Sequence, residues 1–160
     1  MDKPSMFEQS RSLIAGAKII INCDGVCDNG NIMIPTSPVI ILCAIAIEIC
    51  LKLLIINETG KEVQQVHDLK SLFERIPKDL SSRVVEHFLE KNKEETLETL
   101  TENIAIHKNI FVDWRYAYEK FNLECSPSFL YSFAFCLNAY IEDNYKFERN
   151  QNGWLKVGNI

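Results

Sequence analysis

The chain has 160 residues, of which 47% are hydrophobic and 24% charged, and a formal net charge of −5. That length suits one domain able to bury a core without covalent staples, and the composition excludes disorder as the main state. The negative charge excludes a generic nucleic-acid coat, which needs clustered Lys and Arg, while leaving room for a local basic site.

Five prolines and six glycines offer too little turn chemistry for a many-stranded β fold, so helices are expected to dominate. Apolar spacing predicts a first helix over 5–21, with Phe7, Leu13, Ile14, Ala17 and Ile21 on one side. The Asn-, Asp-, Gly- and Pro-rich stretch over 22–38 cannot be helical throughout, and 31–34 is expected as a short extended piece. Ser37 and Pro38 read as the cap and first turn of a second helix that reaches Asn57, closed by Thr59 and Gly60. A third helix is predicted over 62–75, carrying Val66, Leu69, Leu72, Phe73 and Ile76, and is stopped by Pro77. Asp79 then caps a fourth, with Leu80, Val84, Val85, Phe88 and Leu89 in one stripe. Glu86, Glu90, Glu94, Glu95, Glu98 and Glu102 read as a solvated acidic face. Leu97, Leu100, Ile104, Phe111, Trp114, Tyr118 and Phe121 continue one face over 94–120, with a bend near His107. Ser126 and Pro127 open the last helix, which turns Phe129, Leu130, Phe133, Leu137, Tyr140 and Ile141 inward. Residues 148–160 are expected as a loose tail, with Trp154 and Leu155 able to dock. Together these elements predict a single all-α domain over 1–160, an up-and-down bundle of five to seven helices.

The run PVIILCAIAIEICLKLLII over 38–56 is nearly long enough to span a bilayer. Glu48 and Lys52 interrupt it at i, i+4 with Glu first, the favourable order for a helical ion pair. Charges are costly in a bilayer, so a buried core helix explains the run better than a membrane span. Of the six cysteines, Cys43, Cys50 and Cys136 fall in apolar helical patterns and read as small hydrophobes. Cys23 and Cys27 have no second Cys or His pair at zinc-site spacing, so no metal is expected. Residues 1–9 show no secretory signal, and reduced thiols in the cytoplasm are the simplest expectation. Gly-rich phosphate loops, Ser–His–Asp spacing and a His–Glu–x2–His helix are all missing, so no cofactor is expected.

Three strings carry the chemistry: AIAIEICLKLLI over 44–55, HDLKSLFERIP over 67–77 and FVDWRYAYE over 111–119. In this order they resemble the HEPN superfamily over roughly residues 7–145. There a helix with a Glu–x3–Lys pair precedes a His–Asp–Leu–x2–Leu–Phe segment, and a Trp–Arg–Tyr–x–Tyr–Glu segment lies near the last helix. The resemblance implies a helical bundle, often a homodimer, acting in RNA cleavage, toxin–antitoxin pairs or phage defence. The family's ribonuclease motif is an Arg followed by a His with four to six residues between them, and this chain departs from it. Arg83 and His87 have only three residues between them, and Arg115 has no His at those offsets.

Polar residues embedded in apolar helices demand partners, so Glu48, Lys52, His67, Arg115 and Tyr118 are expected around one polar pocket. Asp68 would stand beside the imidazole, and Glu48 or Glu119 would pair with the guanidinium. His67 and Arg115 are the candidate catalytic pair, a base and a cation for metal-independent attack by an RNA 2′-hydroxyl. Arg83 and His87 read as an exposed helical pair, in the field of Glu86 and Glu90. The alternative is a non-catalytic binding or assembly module of the same fold, with the polar cluster as internal glue. Expected partners are a second copy of the chain, RNA and another protein, and no membrane.

Overall fold

A computed structural model describes residues 2–23, 25–28, 31–33, 35–119 and 123–147, the backbone only for 26–28 and 31–33. The expectations for Ile34, Lys120, Phe121, Trp154, Leu155 and the tail over 148–160 lie outside the described residues. Within them the chain is an all-α bundle: α1 (Lys3–Ile21), α2 (Thr36–Thr59), α3 (Leu69–Glu74), α4 (Lys78–Lys91), α5 (Leu97–Ile106), α6 (Ile110–Arg115) and α7 (Pro127–Asn144). A 3-10 turn follows α6 over Ala117–Glu119. Strands β1 (Val26–Asp28) and β2 (Asn31–Met33) form an antiparallel hairpin that pairs Cys27 with Ile32, so the one extended piece expected over 31–34 has a partner strand.

α2 is the axis of the fold. It is apolar all round, and such a helix is stable only when neighbours cover every face. α1, α7, α6 and α3 supply that cover. Cys43, Ala44, Ala46, Ile47, Cys50, Leu51, Leu53 and Leu54 are all fully buried, and each large side chain contributes roughly 1.5–3 kcal/mol. By length and composition α2 is apolar enough to cross a membrane, yet 67% of its most apolar stretch is buried inside the bundle.

Helix ends follow local chemistry in some places and tertiary contacts in others. Gly60 closes α2 in the left-handed conformation (φ 67°), donating its N–H to Ile56. Ser126 Oγ accepts from Phe129 N–H at 3.3 Å to open α7, as its sequence predicts. The start of α2 is Thr36 rather than Ser37, which places Pro38 in the first turn, where its missing N–H costs nothing. Asp79 is not the cap of α4; Pro77 holds that position, and Asp79 sits in the first turn facing the positive helix end.

The largest departure is α3, which begins at Leu69 rather than near Glu62. Gln65 has φ 57°, which breaks any helix through it. Asp68 then restarts the helix by accepting from Ser71 N–H at 2.7 Å, while Leu69 N–H donates to Lys108 carbonyl at 2.8 Å. The predicted face over 94–120 is two helices, with Thr96 and Thr99 forming a reciprocal cap at the start of α5. Leu97, at 59% exposure, and Ile21, at 41%, lie outside the core their spacing assigned them.

Candidate functional site

Two charges in the middle of α2 cannot be left alone in an apolar bundle. Lys52 Nζ donates to Glu48 Oε1 at 2.7 Å, and both side chains are largely buried, at 12% and 13% exposure. Glu48 has a second partner. His67, in the extended segment just before Asp68, brings Nδ1 within 3.1 Å of Oε1 and 3.0 Å of Oε2. A carboxylate only accepts hydrogen bonds, so Nδ1 carries a proton, and in the neutral ring Nε2 carries the lone pair. Nε2 has no hydrogen-bond partner among the described residues, and the His67 side chain is 54% exposed.

Phe111 on α6 joins this group to Arg115. Its ring lies 6.4 Å from the His67 ring, and the Arg115 guanidinium stands over it at 5.9 Å from the centroid. Arg115 is exposed, lies 4.7 Å from the Tyr116 ring centre, and donates from Nη2 to the Tyr116 hydroxyl at 2.8 Å. Thus the structure brings Glu48, Lys52 and His67 into direct contact, and Arg115 shares the Phe111 ring with His67 as a neighbour. It does not enclose them in a pocket.

Tyr118 departs from its predicted place. It is 80% exposed and projects from the 3-10 turn, because α6 ends at Arg115 and helical spacing stops there. Tyr116, absent from the predicted set, takes the contact with the guanidinium. Glu119 is exposed in the same turn, and its N–H donates to Tyr116 carbonyl; among the described residues Arg115 donates to Tyr116, and to neither Glu48 nor Glu119. Asp68 is spent on capping α3 rather than on the imidazole. Lys108, whose carbonyl anchors α3, is exposed nearby and was missed because its link to Leu69 spans the fold. Both Phe111 and Tyr116 lay inside the quoted string over 111–119, but helical spacing assigned the first to the core and the second to no role.

The other histidines are differently placed. Arg83 is exposed, and its Nε donates to Asp79 carbonyl in its own helix at 3.4 Å. The His87 ring stands edge-on to Tyr140, with Nε2 buried and without a hydrogen-bond partner among the described residues. Burial, and then Lys91, hold its pKa below the ordinary imidazole value. Burial pushes the Cys43 and Cys50 thiols up to about 12, so both remain neutral packing groups rather than nucleophiles. Among the described residues no three His, Cys, Asp or Glu side chains gather as a metal site would require.

Fold and site together define an all-α bundle with a carboxylate-oriented histidine on its surface. Comparison with protein-family models, with curated proteins and with solved structures finds no match.

Proposed function

We propose that this chain is a HEPN-like protein of an RNA-directed, phage-defence or toxin–antitoxin system that cleaves RNA without a metal ion. The observation that supports this most is the His67 geometry: Nδ1 is fixed by Glu48, Nε2 has no described partner, and Phe111 lies near both the His67 ring and Arg115. Nε2 takes the proton of a ribose 2′-hydroxyl as its oxygen attacks the adjacent phosphorus. Arg115 offsets the charge that builds on the phosphoryl oxygens. The bond to the 5′-oxygen breaks, that oxygen takes a proton from solvent, and a 2′,3′-cyclic phosphate remains. Glu48 is a positioning residue, and Lys52 neutralises it.

A homodimer fits this reading, with the outer face of α7 as contact, where Phe135 is exposed and stacks on Tyr131 at 6.3 Å. A reducing, cytoplasmic setting suits the free thiols of Cys23, Cys43, Cys50, Cys125 and Cys136. The second reading, a non-catalytic binding or assembly module, draws on one observation: Lys52 and His67 already satisfy Glu48, as internal glue would.

The test uses mixed RNA with and without EDTA, on protein whose mass is first measured by light scattering. Cleavage should survive EDTA, fall by about 100-fold or more in His67→Ala and in Arg115→Ala, and persist in Arg83→Ala. Loss confined to Arg83→Ala would reassign the site. A wild type that cuts nothing would leave the module reading, and a monomer mass would remove the α7 contact.

A further inference from the structure

The segment that follows α6 carries an unusual combination. Tyr118 exposes 80% of its surface and Tyr116 36%, with ring centres 6.4 Å apart. Large rings left open to water on one short segment lose the burial that normally favours them. Arg115 lies near the Phe111 and Tyr116 rings and donates to the Tyr116 hydroxyl, which braces its planar guanidinium. Lys108 adds an exposed cation at the neighbouring corner. Glu119 is exposed in the same turn and Asp113 lies on α6, so the segment lacks the dense positive charge that duplex phosphates require.

Open π-faces with one or two cations match an unpaired base and its phosphate, not a continuous helix. A base inside a duplex offers no free face to stack on, and the deep A-form major groove cannot admit these rings. We infer that Tyr118 and the Tyr116-braced Arg115 form a stacking platform that takes unpaired nucleobases. This inference rests on the proposed RNA chemistry for its substrate class, but it concerns binding alone.

The full-length chain is titrated into a labelled oligoribonucleotide of about 12 residues with 2′-O-methyl groups, which cannot be cleaved by 2′-attack. Anisotropy should show the single strand binding at least about tenfold more tightly than the same sequence as a blunt duplex. Tyr118→Ala should weaken single-strand binding by roughly 5- to 100-fold, and Tyr118→Phe, which keeps the ring, should bind as wild type. The logarithmic salt slope should be shallow, about −1 to −2, for two phosphate contacts. Equal binding of duplex, or full affinity in Tyr118→Ala, overturns the platform. Loss of dimer mass in Tyr118→Ala with RNA binding intact also overturns it and assigns the patch to a second copy. Binding of the expected pattern by a protein that cuts no RNA upholds the platform while the cleavage reading falls. Cleavage that depends on His67 while Tyr118→Ala binds normally removes the platform alone.

Discussion

At the corner between α5 and α6 the His107 residue is 1% exposed and both ring nitrogens are engaged inside the fold, whereas at the α2 surface His67 is half open and among the described residues engages only Nδ1. His107 Nδ1–H donates to Asn103 carbonyl at 2.7 Å, Nε2 accepts from Ser126 N–H at 2.8 Å, and the ring stacks on Phe129 at 5.4 Å. Both rings therefore hold the same tautomer, fixed by an oxygen acceptor at Nδ1. What differs is the fate of the Nε2 lone pair. In one case it ties the end of α5 to the start of α7; in the other no described group uses it. A histidine with both nitrogens spent is a joint, and one with a single nitrogen spent is available for proton exchange.

Three experiments sharpen that contrast. The largest effect should come from Glu48→Ala, which leaves Lys52 buried without its counter-charge and should cost about 3–5 kcal/mol in urea denaturation. Adding Lys52→Met should recover at least half of that loss. A single variant with the wild-type midpoint would show that the pair is solvated and dispensable. Next, His107→Ala should cost about 2–3 kcal/mol, because Ser126 N–H and Asn103 carbonyl lose their partner together. His67→Ala should stay within about 0.5 kcal/mol, since Glu48 keeps Lys52. Similar losses at both positions would erase the distinction between joint and site.

The response to acid separates buried from open rings as well. Burial holds the pKa values of His107 and His87 below their ordinary 6.5, so below that pH the unfolded chain binds more protons than the folded one. Stability is therefore complete above about pH 6.5 and declines as pH falls below it, by at most about 1.4 kcal/mol per pH unit for each histidine. Urea midpoints between neutral and mildly acidic pH measure the slope, and His107→Gln should flatten it. A midpoint that is constant or rises on acidification would contradict the buried neutral ring.

The bundle and its polar centre were largely legible in the sequence, for definite reasons. Glu48 and Lys52 announced themselves because two charges at i, i+4 interrupt an apolar run, and burial forces them to pair. Ser126 with Pro127 and Thr59 with Gly60 marked helix ends through chemistry confined to neighbouring residues. Less legible was α3, where Val66, Leu69 and Ile76 keep helical spacing although Gln65 breaks the helix and a carbonyl from Lys108 sets its true start. Tyr118 was misplaced for a related reason: periodicity ran through Arg115 into a turn of different rotation. Residues whose partners lie far away in sequence carry no local mark, and Lys108 and Nε2 of His107 belong to that group.

Ser10 and Asn138 are buried polar residues on α1 and α7, and Asn138 Nδ2 donates to Ser10 Oγ at 2.9 Å across 128 positions of chain. Ser10 Oγ in turn donates to Phe7 carbonyl. Joining points that far apart costs about 4 kcal/mol of chain entropy, more than one such hydrogen bond returns. The bond can therefore form only after apolar packing on α2 has brought the two helices together. Once formed, it rejects any sliding of α1 along α7, because a shift of one turn would strand an amide in an apolar slot. The pair acts as a register pin, set late in assembly, which converts a greasy contact tolerant of several alignments into one with a single fit.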